Sequence, residues 1–204
     1  KSAIWPHGLA NTNKLIGKNL MRHLVDIYAL DLPAGLGKAA HLKEIAFNDF
    51  YFTENMKLGS IQSFGSLPPV SAIINDLIRK QKLNNNHIIT FFIEKTSYLI
   101  AQHLSKISES STLLASTLED YPYLDNQVSL TEEGNIIIKY KLHNSEINRL
   151  KLFRKKIKLI LKEFHPKKLN LAYKNDLLGH VCGTCRFGSD PQSSVLDKYN
   201  KAHA

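Results

Sequence analysis

Hydrophobic and polar positions divide this chain into segments that each carry the periodicity of one kind of element. From Leu20 to Leu32 an apolar run (Leu24, Val25, Ile27, Tyr28, Leu30) predicts a strand that Pro33 ends. Ile45–Thr53, with Phe47, Phe50, Tyr51 and Phe52, and Gly59–Leu67, closed by Pro68 and Pro69, predict two more. Pro69 then opens a helix: Val70, Ile73, Ile74, Leu77 and Ile78 recur at three- and four-residue steps until Asn84–Asn86. Residues 88–107 are ambiguous at first. Ile88–Ile93 alone reads as a strand, but Phe92, Thr96, Leu99, Ile100, His103 and Leu104 follow a helical period, which decides for helix. Thr112–Leu118 reads as a strand. A hairpin follows: Gln127–Leu130, a turn at Glu132–Asn135, then Ile136–Leu142, with Ile136, Ile138 and Tyr140 on one face. Strands and helices mix without strict alternation, so the expected class is α+β, an antiparallel sheet with helices on one side.

Length and composition narrow the class without naming a function. The chain has 204 residues, 43% hydrophobic and 22% charged, as expected of one folded domain or two small ones. No apolar run approaches the roughly 20 residues of a membrane helix, so no membrane partner is expected. The chain opens on Lys1-Ser2-Ala3-Ile4-Trp5-Pro6, without an initiator Met or a signal-like apolar core, and reads as a cut through something longer. Its two cysteines, Cys182 and Cys185, are too few for a secreted disulfide scaffold, which favours a reducing, cytoplasmic compartment.

A net charge of +9 raises the possibility of a polyanionic partner. Much of that charge falls between Arg149 and Lys168, where Ile147, Leu150, Phe153, Ile157, Ile160, Leu161 and Phe164 recur at helical steps. One amphipathic helix with a lysine-rich outer face accounts for both patterns. A solvated face is the plainer reading and phosphate binding the alternative; nucleic acid is not the expected partner.

Chemistry concentrates in Gly179-His180-Val181-Cys182-Gly183-Thr184-Cys185-Arg186-Phe187-Gly188. His180, Cys182 and Cys185 could ligate zinc, but a closed site needs a fourth ligand and no second pair exists, so no metal is expected. A Cys-x-x-Cys redox pair wants a helix start after it, and Arg186–Pro191 reads as a loop. A glycine-rich structural turn around a buried histidine is also open. Elsewhere the chain lacks GxGxxG, a P-loop, GxSxG and HExxH, and has no internal repeat.

The same stretch supports a fourth reading. His180-x-x-Gly183-Thr184-Cys185-Arg186-x-Gly188-x-Asp190-Pro191, followed by Ser194-Val195-Leu196-Asp197, resembles the C-terminal active-site motif of the glucose–methanol–choline (GMC) oxidoreductases. Ile16-Gly17-Lys18-Asn19-Leu20-Met21-Arg22-His23 is similar to that family's V-G-x-N-L-x-D-H segment, with Arg22 where Asp is frequent. Leu118-Glu119-Asp120-Tyr121-Pro122 through Asp125-Asn126-Gln127-Val128 is similar to its E-D-x-P-x-x-D-N-x-V segment.

The resemblance implies a substrate-binding domain of a two-domain flavoenzyme that oxidises CH–OH to a carbonyl using FAD. His180 would be the proton acceptor, and an imidazole suits that task near neutral pH. Gly179, Val181 and Gly183 would form the flavin-facing loop, with the glycines permitting close backbone approach. It implies a connector over 1–19, a substrate domain over 20–178, and an active-site segment over 179–204 that leads back toward a flavin domain. The implied partners are a small-molecule alcohol and that missing flavin domain. The Gly-rich flavin loop is expected before Lys1 and a second catalytic His or Asn after Ala204, so the chain by itself is expected to be inactive. An inactive remnant, or a basic module without catalysis, is the competing reading.

Overall fold

A computed structural model describes residues 2–31, 44–53, 55–65, 69–170 and 180–203. It is of the α+β class, with a five-stranded antiparallel sheet and three α-helices among the described residues. The sheet strands are β1 (His23–Asp31), β2 (Ala46–Phe47), β3 (Gly59–Gly65), β4 (Ser111–Glu119) and β7 (Lys167–Asn170), in the spatial order β2-β3-β4-β1-β7. Helices α1 (Val70–Leu83) and α2 (His87–Ser110) connect β3 to β4, and the pair β5 (Gln127–Leu130) and β6 (Ile136–Lys139) forms a separate two-stranded sheet. Helix α3 (Asn144–Ile160) and a 3-10 turn (Lys162–Phe164) precede β7.

The chain divides into two compact units. One comprises residues 1–24, 118–152 and 172–204, the other 25–117 and 153–171. The second holds most of the sheet. Its core consists of Tyr28, Ala29 and Leu30 of β1, Leu58 and Ile61 beside and within β3, Leu113–Ala115 of β4, and Phe153, Ile157 and Leu161 from the α3 side. Each such large side chain contributes roughly 1.5–3 kcal/mol on burial. The two-residue period of β1 also carries Asp26 into the interior, at 1% exposure. Arg154 answers it with two hydrogen bonds, Nε to Oδ2 at 2.6 Å and Nη2 to Oδ1 at 2.7 Å. A planar guanidinium suits this fork, and a buried carboxylate without such a partner would be costly.

Three elements differ from the sequence expectation. The predicted strand Ile45–Thr53 is reduced to Ala46–Phe47, because Asn48 and Thr53 begin turns, with Tyr51 N–H bonding to Asn48 O at 2.8 Å and Thr53 N–H to Met56 O at 2.9 Å. The basic helix stops at Ile160 instead of running through Lys168. His165 takes a left-handed conformation (φ 44°), Pro166 follows, and Lys167–Asn170 pairs antiparallel with β1 as an edge strand. Lysines at 167 and 168 suit such an edge, where charge discourages further pairing. The hairpin forms with Leu130 opposite Ile136, but its second arm, expected over Ile136–Leu142, is a strand only over Ile136–Lys139 and is exposed along that length. Leu32 and Ser66–Leu67, at the ends of predicted strands, lie outside the described residues.

Candidate functional site

The site belongs to the first unit, and its scaffold is a ladder of short backbone segments. Residues 17–21 form the middle rung. On one side Val128 N–H donates to Gly17 O at 2.7 Å and Leu20 N–H to Asn126 O at 2.9 Å. On the other, Gly17 N–H donates to Thr184 O at 2.9 Å, while Met21 and Cys182 exchange bonds of 2.9 and 3.0 Å as an antiparallel bridge. The three segments that resemble GMC motifs are therefore joined by main-chain hydrogen bonds.

Glycine is required at two rungs. A Cβ on Gly17 (φ 86°) would lie 2.3 Å from Val128 O, and one on Gly183 (φ 93°) would lie 2.0 Å from Asn19 O. Both glycines combine a left-handed backbone with contact closer than any side chain tolerates. The missing Gly183 side chain thus faces Asn19 of its own chain, which gives this glycine a structural reason for its place in the motif.

His180 sits at the edge of this ladder in a left-handed conformation (φ 51°), with its residue exposed. Its ring lies 5.0 Å from that of His23, centroid to centroid, at 56°. His23 is half-buried, and its pKa is lowered from the ordinary 6.5, chiefly by burial and then by His180, with Glu119 opposing. Two imidazoles this close resist being charged together, which is how His180 adds to the lowering at His23. Val181, beside it, is 52% exposed. Gly179 lies outside the described residues.

Beneath His23 lies a polar network anchored on buried Asp120. Its carboxylate accepts from the backbone N–H of Arg22 (3.3 Å) and Tyr121 (2.9 Å) and from the Tyr140 hydroxyl (2.6 Å). Burial nevertheless raises the Asp120 pKa, and burial with the nearby Asp120 raises that of Tyr140. Arg22 stacks on Tyr140, its guanidinium carbon 4.6 Å from the ring centroid. Arg149 of α3 donates to Glu119 O at 2.8 Å, covers Tyr121 at 4.1 Å, and lies 3.7 Å from Glu146. Asn126, fully buried, accepts from Lys141 N–H (2.7 Å) and donates to Lys141 O (3.1 Å), tying the middle motif to the chain just past β6.

Sequence reasoning quoted several of these residues inside motifs without giving them roles. His23, Asp120 and Asn126 needed the pairing of segments to acquire partners. Arg149 counted among the charges of the basic segment and Glu146 was given no role, and only their spacing on the Leu150–Phe153–Ile157 side hinted at the interior.

Both cysteines are exposed free thiols. Burial, with Asp120 and Glu119, pushes the Cys182 thiol up, the reverse of the depression a redox-active Cys-x-x-Cys requires. Among the described residues no three His, Cys, Asp or Glu side chains gather as metal ligands. Farther along, His203 Nε2 lies 3.0 Å from both Ser194 Oγ and Gly188 O, closing the final loop onto the motif. A cavity of about 850 Å³ opens along the ladder, lined by His7, Lys18, Gln127 and Thr184 among others; His180 is not part of its wall.

No family model matches the chain. Over 99 residues, 45% of its length, the chain is 28% identical to 6'''-hydroxyparomomycin C oxidase of Streptomyces lividus. The match covers 18% of that protein, so the chain corresponds to less than a fifth of the relative's length. This is a similarity to an oxidoreductase. Among the described residues no helix is long and apolar enough to cross a membrane.

Proposed function

We propose that this chain forms the substrate-side part of an FAD-dependent oxidoreductase of the GMC type, which oxidises a CH–OH group of a small alcohol to a carbonyl, with His180 accepting the hydroxyl proton. One observation carries the reading. Ile16–His23, Leu118–Val128 and His180–Gly188 are distant in sequence, yet one hydrogen-bonded ladder holds them together with the His180 ring at its exposed edge. Similarity to an oxidase supports the reaction class.

The chemistry asked of His180 is modest. An exposed imidazole can reach a bound hydroxyl, take its proton and, once charged, stabilise developing negative charge on that oxygen. The neighbouring His23 is held less basic by burial and by His180. A bound flavin would supply the acceptor for the electrons and hydrogen leaving the carbon. His180 and the exposed apolar Val181 fit the edge of such a ring, whereas Gly183 supports the fold through Asn19. A Gly-rich dinucleotide loop is not among these residues, so most of the cofactor would be held by residues beyond them.

The test joins this chain to the segments that supply the flavin and follows flavin reduction by a panel of alcohols. His180→Ala is expected to slow reduction by about 10²–10⁴-fold with flavin binding retained. Equal rates in the two proteins would overturn the role of His180, and failure of the joined protein to hold flavin would overturn the family reading.

A further inference from the structure

In the second unit, the end of α3 turns into a basic cleft that the proposed oxidation does not use. The last turn of α3, the 3-10 turn and β7 enclose a cavity of about 510 Å³, lined by Tyr28, Lys158, Lys162, His165, Pro166 and Lys168. Among the described residues no carboxylate lines it. Acids on the adjoining elements are engaged: Asp26 is gripped by Arg154 and accepts from the Tyr28 hydroxyl at 3.3 Å, Asp31 is held by Lys167 at 3.0 Å, and exposed Glu163 lies 3.5 Å from Lys162.

Lysines at a helix C-terminus have an ordinary explanation, because they complement the negative end of the helix dipole. That accounts for Lys158 and Lys162. It does not account for Lys168, which comes from the edge strand, or for His165, which caps the 3-10 turn in a left-handed backbone (φ 44°) and lines the cavity wall. Three lysines and a histidine, drawn from separate elements, therefore line one hollow, with Tyr28 and Pro166 beside them among the described residues. Tyr28 is itself 2% exposed and gives the cleft a fixed floor.

We propose that this cleft binds a small soluble molecule through a phosphate or diphosphate group. A single carboxylate could serve one of these lysines, whereas a multiply charged phosphate presents acceptor oxygens for all three, including Lys162, whose exposed pairing with Glu163 is weak. The volume lies within the several hundred cubic ångströms usual for small-ligand pockets. The small size of this partly open cleft favours a compact anion over a polymer, which would follow the outward stripe of Lys151 and Lys155 along α3.

Titration calorimetry with inorganic pyrophosphate at about 50 mM salt tests this on the intact chain. Saturable one-to-one binding is expected. Lys158→Gln and Lys168→Gln should each weaken it about two- to fivefold, from the worth of one exposed charge pair, and together about tenfold. Lys151→Gln with Lys155→Gln, on the same helix outside the cleft, should leave affinity within about twofold, and circular dichroism checks that all variants fold. Absence of saturable binding, or equal weakening by the control pair, would overturn the proposal. So would binding confined to phosphatidic-acid vesicles or to duplex DNA, since either would assign the face to an extended anionic surface.

Discussion

His23 shows how a single side chain changes meaning once its neighbour is known. In the sequence it closes a motif; in the fold it faces the ring of His180, half out of water. Its folded-state pKa lies below the ordinary 6.5, so the unfolded chain takes up this proton first on acidification. The resulting stability is fully present above pH 6.5 and is lost as pH falls through the folded-state value. Urea titrations across that range should therefore show a shallower pH dependence in His23→Gln than in the wild type. His180→Gln should give part of the same effect, because His180 is the second cause of the shift. An unchanged slope in both variants would refute the coupling of the two rings.

Helix α3 makes the corresponding case for elements. Its pattern of Leu150, Phe153, Ile157 and Leu161 marked a buried stripe, and those residues are buried. Hydrophobicity alone could not show that Glu146, at 0% exposure, and Arg149, at 3%, share the interior. A charge is buried only where a partner waits, and the partners here (Tyr123, Glu119 O and Tyr121) come from another part of the chain. Arg149→Met should destabilise the protein by about 3–5 kcal/mol, since it strands a buried carboxylate. Glu146→Gln added to it should recover part of the loss, as measured by chemical denaturation. The edge strand β7 escaped the sequence reading, and β2 was read as longer than it is, for a related reason. Strand periodicity needs several residues to register, and two- and four-residue strands exist mainly because a partner strand supplies their hydrogen bonds.

Across the whole chain, the ladder depends on contacts between ends. Residues 17–21 lean on Cys182 and Thr184 through three main-chain hydrogen bonds formed across some 160 positions. A chain ending at residue 179 should lose amide-exchange protection at Gly17 and Met21, and retained protection there would contradict the ladder. The +9 charge also looks different in the fold. Arg149 and Arg154 serve buried partners, and Lys158, Lys162 and Lys168 gather at one cleft, so the solvated face expected of the basic segment is only part of what it does.

The sequence by itself determined the class of the fold, helices α1 and α2 within a few residues, the buried stripe of α3, the strands β1, β3 and β4, and the segments in which chemistry was to be sought. Those features rest on local periodicity and on residue types that few backbones accept, and both are written along the chain. Tertiary structure alone decided that His23 meets His180, that Gly183 is needed against Asn19, and that Glu146 and Arg149 are interior. It also decided that the basic segment breaks at His165 to make a cleft and an edge strand. Each of these depends on a partner distant in sequence, and neither hydropathy nor spacing records the identity of such a partner.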